Sequence, residues 1–212
     1  MFYLHESSMF AFVGLFFYTI VRGLFIRIKH KNHKPIGWFS ETMCFFFAFY
    51  LFLVASITLF PLSFGISSNM YLSNIERNVN SVPLLSIVRE IGSIGTAYGG
   101  DSAFMIKLIL RNVGGNILLF MPLGALAPIC WHRFKSFKST LLFGIVLSVG
   151  IECLQFLEIA AGTFGRAVDI DDVICNGIGT ALGYLGYKSA LYLWNSIRNR
   201  MTYHPRSEES NM

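Results

Sequence analysis

Arg166-Ala167-Val168-Asp169-Ile170-Asp171-Asp172-Val173-Ile174-Cys175-Asn176 runs directly into a long apolar segment, and the fold turns on how this stretch is read. Asp169, Asp172 and Asn176 stand at i, i+3 and i+7, so a helix carries all three on one face. A carboxylate at mid-bilayer costs about 2.5–3.5 kcal/mol on insertion scales. A helix entering a membrane behind such a stripe therefore needs partners for it, or a watery pocket. Asp171 falls off the stripe and reads as a helix-start or solvent-facing residue.

The surrounding chain supports the membrane reading. It has 212 residues, 54% hydrophobic and 16% aromatic, with only 14% charged, where an average soluble domain has about 25%. Mean hydropathy is +0.55. A crossing takes about 20 apolar residues, and five segments qualify: Met9–Ile28, Phe39–Phe60, Met105–Trp131, Thr140–Glu158 and Val173–Trp194. The third is the least clean, opening with Lys107, Arg111, Asn112 and Asn116. The expectation is an all-α polytopic membrane helical bundle of about five transmembrane helices. Residues 1–38 form a first helix and basic loop, 39–195 the main membrane domain, and 196–212 a polar tail. The connection Pro61–Phe104 has room for a short interfacial helix near Leu84–Ile94.

Lysines and arginines alternate between connections. Arg27, Lys29, Lys31 and Lys34 fill the first loop, Arg133, Lys135 and Lys138 the third, and Arg198, Arg200 and Arg206 the tail. Positive-inside bias then puts the N-terminus outside and the C-terminus in the cytoplasm. The net charge of +5 is thus a topology signal, and no nucleic-acid partner is expected. No basic n-region precedes the first segment and no small-residue cleavage site follows it, so it reads as a retained helix. Cys44, Cys130, Cys153 and Cys175 lie singly in apolar surroundings and read as core residues, not a disulfide framework or zinc site. Phe45–Phe47, Phe49 and Phe52 read as lipid-facing bulk.

In this topology the polar residues converge. Ser148, Glu152 and Gln155 share a face of the fourth helix, with Glu152 about 9 Å below its outer end at Glu158, itself read as solvated. Arg111, Asn112 and Asn116 lie in the outer half of the third helix, and Asn176 one turn into the fifth. Arg111 and Arg166 are candidate partners for Glu152, Asp169 and Asp172. Asn176, Gly179 and Gly183 extend the stripe down the fifth helix, where small residues admit a close neighbour. Pro122 is expected to kink the third. The three acids would suit a hard divalent ion, but their spacing matches no metal-binding loop and nearby arginines compete for them, so no metal is assigned. The cofactor is left unknown.

Gly115-Asn116-Ile-Leu-Leu-Phe-Met-Pro122-Leu-Gly124, Ser148-x-x-x-Glu152-x-x-Gln155-Phe156 and Arg166-x-x-Asp169-Ile-Asp-Asp172-x-x-x-Asn176 resemble the VanZ-like family in order and approximate spacing. Thr58-Leu-Phe-Pro61 and Asn80-Ser-Val-Pro83 resemble the region after that family's early helix, and the likeness covers roughly Thr58 to Tyr187. It implies a multi-pass protein of the bacterial cell membrane, akin to proteins that lower susceptibility to glycopeptide antibiotics, teicoplanin above all. The expected partners are membrane lipids or a lipid-linked envelope precursor, with a glycopeptide as a further candidate. Glu152, Asp169 and Asp172 are the candidate catalytic acids. Arg111, Asn116, Gln155, Arg166 and Asn176 are the candidate substrate-binding residues. The same cleft serves an enzyme or a scaffold that binds without chemistry. A small transporter fits less well, because the inner helix halves lack polar residues.

Overall fold

The computed structural model describes residues 3–33, 35, 37–59, 78–161 and 167–202. Arg166, Lys34, Arg206, the end of the second expected span at Phe60 and the Pro61 of its motif lie outside the described residues. Helix α1 (Tyr3–Lys31) and helix α2 (Trp38–Leu59) open the chain. Strand β1 (Val79–Asn80) precedes α3 (Leu85–Gly92), which occupies the place expected for an interfacial helix. Helix α4 (Ser102–Ile109) passes through a π-helical turn at Leu110–Gly114 into α5 (Gly115–Cys130). Helix α6 (Phe137–Ala160), strand β2 (Val168–Asp169) and α7 (Ile170–Thr202) complete it.

Local chemistry sets several boundaries. Asp101 caps α4 by accepting from the Phe104 amide at 3.0 Å, and Ser136 caps α6 by accepting from the Ser139 amide at 3.3 Å. Helix α5 continues through Pro122 and Pro128 without ending. The Tyr50 hydroxyl of α2 donates to the Leu119 carbonyl of α5 at 2.6 Å.

Four helical rods are long and apolar enough to cross a membrane: Met9–Lys31, Trp38–Leu59, Ser102–Cys130 and Phe137–Ala160. Helix α7 has 33 residues, so length is not what separates it from them. Its composition is less apolar, and in its first half the small and polar residues are turned inward: Asn176, Gly177, Gly179, Thr180, Gly183 and Tyr184 are buried, while Ile178, Leu182 and Leu185 face out. Polar groups can sit inside such a bundle because neighbouring helices, not lipid, surround them.

Among the described residues α5 and α7 make the most extensive helix–helix contact. A Cβ at Gly179 would meet the Ile117 carbonyl oxygen, one at Gly183 the Met121 carbonyl oxygen, and one at Gly124 the Thr180 carbonyl oxygen. The two backbones therefore touch directly and run parallel. Helix α6 runs antiparallel beside them, with Gly144 against Thr180 and Ser148 beside Asn176. In lipid there is no water to drive helices together, so this close approach is a main source of association. Phe47 and Val54 of α2, Phe120, Leu123 and Ala127 of α5, and Ile151 of α6 form the apolar core. Phe47, expected in the lipid, is instead 1% exposed and packs edge-on against Trp131 at 5.3 Å, while Phe45, Phe46 and Phe49 do face out. Helix α1 leans on α2, where Glu41 receives Arg22 Nε at 2.6 Å and Lys29 Nζ at 3.2 Å.

Because these contacts are with backbone atoms that cannot turn aside, Gly183→Leu should destabilise the folded protein by about 2 kcal/mol or more. Gly186→Ala, whose added carbon meets nothing within 4 Å, should be near neutral. Reversible unfolding in mixed micelles measures both.

Candidate functional site

The first turn of α7 gathers four separate elements. Strands β1 and β2 pair in parallel, Val79 with Val168 and Asn80 with Asp169. Asp169 Oδ1 accepts from Asn80 Nδ2 at 2.8 Å and from the Asp171 amide at 2.9 Å, so Asp169 is the N-cap of α7. From the other side the Asp169 amide donates to Glu152 Oε2 of α6 at 3.1 Å. Asp171 reaches α3: its Oδ1 accepts from the Leu84 amide and its Oδ2 from the Ile87 amide at 3.3 Å. Leu84 is left-handed, with φ 64°, a conformation that costs an L-residue about 1–2 kcal/mol. The carboxylate both holds that residue and satisfies the start of α3. Asp172 turns to α5 and accepts from Asn116 Nδ2 at 2.5 Å.

A polar cavity of about 540 Å³ opens between α3, the π-helical turn and the head of α7, within the ~300–1,000 Å³ range of small-molecule sites. Glu90, Arg111, Asn112, Asn116, Asp169, Asp171, Asp172 and Cys175 are among its lining residues. Asn112 Nδ2 donates to Glu90 Oε1 at 3.1 Å. The π-helical turn shifts the register of the rod just where Arg111 and Asn112 face the cavity, and such turns recur at functional positions.

A second cavity, an open apolar groove of about 520 Å³, lies on the α6 side of the strand pair. Val149, Phe156, Leu157, Val168 and Val173 supply its apolar walls, and Glu152 stands at its base. Asp169 and Asn80 border the groove, and Asp169 also lines the polar cavity, so the N-cap of α7 is the partition between the two.

Of the residues expected at the site, Arg111, Asn116, Asp169 and Asp172 meet in the polar cavity, and Glu152 adjoins them through Asp169 on the groove side. Asn176 and Gln155 line neither cavity: Asn176 is 4% exposed and donates to Ser148 Oγ at 2.8 Å, and Gln155 Nε2 donates to the Thr58 carbonyl at 3.0 Å. Arg111, expected to partner the carboxylates, forms no ion pair with them among the described residues, and Arg166 lies outside those residues; the acids are met there by backbone amides and asparagine side chains. Asp171, read as a helix-start or solvent-facing residue, does stand in the first turn of α7 but is 3% exposed, because it serves a helix 84 and 87 residues away in sequence. Glu158, expected to be solvated, is buried at 6% exposure. Glu90 and Asp171 are the cavity residues that pattern reading missed, and their partners are too distant in the chain for spacing to show them. The signal for Asn80 was its place in Asn80-Ser-Val-Pro83. Among the described residues no three His, Cys, Asp or Glu side chains are placed to hold a metal ion.

The VanZ/LLP1 family model matches residues 47–194, most of the chain. The chain belongs to the VanZ/LLP1 family. The match takes in α5, α6, the strand pair and the first 25 residues of α7, hence every element of both cavities. No curated protein and no solved structure matches this VanZ/LLP1 member.

Two measurements check this geometry. In Asp171→Ala the amides of Leu84 and Ile87 should exchange hydrogen faster than in the wild type, while the Phe104 amide, capped by Asp101, keeps its rate. A double-mutant cycle of Ser148→Ala with Asn176→Ala should return a coupling near the ~0.6 kcal/mol average for hydrogen bonds between membrane helices.

Proposed function

We propose that this VanZ/LLP1 protein sits in the bacterial plasma membrane and binds the polar head of an amphiphilic envelope molecule at the outer leaflet. The observation that carries the reading is the meeting of polar side chains from α3, α5 and α7 around one open cavity, at one end of a bundle whose flanks are apolar. A polar cavity beside membrane-crossing helices suits a ligand that is itself confined to the bilayer surface. Buried ionisable groups in such a setting mark function more often than packing.

The orientation follows from charge. Basic residues cluster at the end of α1, around the connection into α6 and at the end of α7, so those ends face the cytoplasm. Helix α7 is then a fifth crossing, parallel to α5, and the cavity opens outward. A protein that holds an envelope lipid or lipid-linked precursor there would alter what a glycopeptide antibiotic such as teicoplanin meets at the membrane surface. Glu152, Asp169 and Asp172 are each held by a fixed donor in the resting protein, an arrangement that positions them to receive a polar head group.

Two experiments test this. An Asp172→Asn variant expressed at the wild-type level should reproduce the envelope-lipid and precursor profile of a deletion strain; a wild-type profile would refute a role for the cavity. A fluorescent protein fused after residue 212 should be bright and a periplasmic phosphatase in the same position inactive, whereas the reverse would invert the topology.

A further inference from the structure

We infer that the amphiphile is a zwitterionic phospholipid with a primary amine, its phosphate and amine held in the polar cavity and one hydrocarbon chain lying in the apolar groove. This rests on the reading of the site as a seat for an amphiphile and adds the chemistry of the ligand. Three observations lead to it.

The first is which charges in the cavity are already used. Asp171 spends both oxygens on the amides that start α3, and Asp169 Oδ1 caps α7. Glu90 and Asp172 differ. Each is held through one oxygen by an asparagine amide, from Asn112 and Asn116 respectively. Among the described residues neither has a donor on its second oxygen. Asn112 and Asn116 belong to one continuous rod, so the two carboxylates are steered into the same space. An ammonium group, with three donors and no acceptor, is the natural complement of two such oxygens.

The second is Arg111. It lines the same cavity, yet among the described residues its guanidinium forms no ion pair with Glu90, Asp172 or any other acid. A guanidinium left unpaired beside carboxylates matches a phosphate well, by paired charge-assisted bonds. A head group of negative charge alone would satisfy Arg111 and confront Glu90 and Asp172. One of positive charge alone would do the reverse. A head carrying both satisfies all three.

The third is the groove. Phe156, Leu157 and Val149 line it and are 39%, 60% and 43% exposed, so it is open sideways to the hydrocarbon of the bilayer. Asp169 lines both spaces, so a phospholipid whose head fills the cavity can cross the rim at Asp169 and lay one chain in the groove.

The test uses native mass spectrometry of the full-length protein released from detergent micelles. The probes are phosphatidylethanolamine, the same lipid N-acetylated, phosphatidylglycerol and soluble phosphorylethanolamine. Phosphatidylethanolamine should be retained about tenfold better than its N-acetylated form or phosphatidylglycerol, the effect of losing one charge-assisted contact. Glu90→Gln should erase that preference, Arg111→Gln should weaken both phospholipids, and the soluble head group should compete poorly. The N-acetyl comparison needs only the wild-type chain, so a variant that fails to fold does not remove the test. Phosphatidylglycerol held as well as or better than phosphatidylethanolamine, or indifference to N-acetylation, would overturn the head-group assignment while leaving an amphiphile site standing. Equal competition by the soluble head group would overturn the role of the groove. Lipid retention that no variant alters would overturn this inference and the binding reading together.

Discussion

The direct backbone contact between α5 and α7 is the constraint from which the rest follows. Glycine at 124, 179 and 183 removes the only atoms that would hold the two helices apart, and the contact fixes both their direction and their register. With Ile117 against Gly179 and Met121 against Gly183, the start of α5 lies beside the third turn of α7, and Asn116 reaches back toward the head of α7 to Asp172. Helix α6, antiparallel to both, arrives with Ser148 at Asn176 and Glu152 at Asp169. The polar groups thus need no strong attraction of their own to be brought together. Helix packing deeper in the bundle sets their positions, and the hydrogen bonds at the site make use of an alignment already imposed.

Three carboxyl-bearing positions within four residues at the head of α7 then divide the work. Asp169 caps its own helix and joins the strand pair, Asp171 caps α3, and Asp172 faces α5. Asp171 and Asp172 point to different elements because successive residues of a helix are rotated by about 100°, while Asp169 sits just before the helix in the strand pair. A short acidic run therefore ties a surface helix, a strand and a membrane rod to one point. Substituting any one of the three should release a different element, so the run is not a redundant patch of charge.

Much of this was legible in the sequence because it is periodic. Apolar length gave the membrane rods, and the i, i+3, i+7 placement of Asp169, Asp172 and Asn176 marked the polar face of α7. The spacing of Gly179 and Gly183 announced a close neighbour, and the region around Leu84–Ile94 showed its helix. What escaped were interactions with no period. The pairing of Val79 with Val168 and the grip of Asp171 on α3 join segments more than 80 residues apart. Glu90 gains its place only when Asn112 is brought beside it. Arg111 was a natural partner for the acids from charge alone, yet among the described residues asparagines and backbone amides do that task. Phe47 was indistinguishable by composition from its lipid-facing neighbours, since membrane helices are apolar on every side.

The most direct measurement of the central claim is cysteine cross-linking in native membranes, in a chain whose four own cysteines are replaced by alanine. The contact between α5 and α7 predicts that cysteines at Asn116 and Asp172 form a disulfide rapidly under mild oxidation. A pair at Asn116 and Ile178, the latter facing outward, should not. Cross-linking of the second pair with none of the first would contradict the alignment on which both cavities depend.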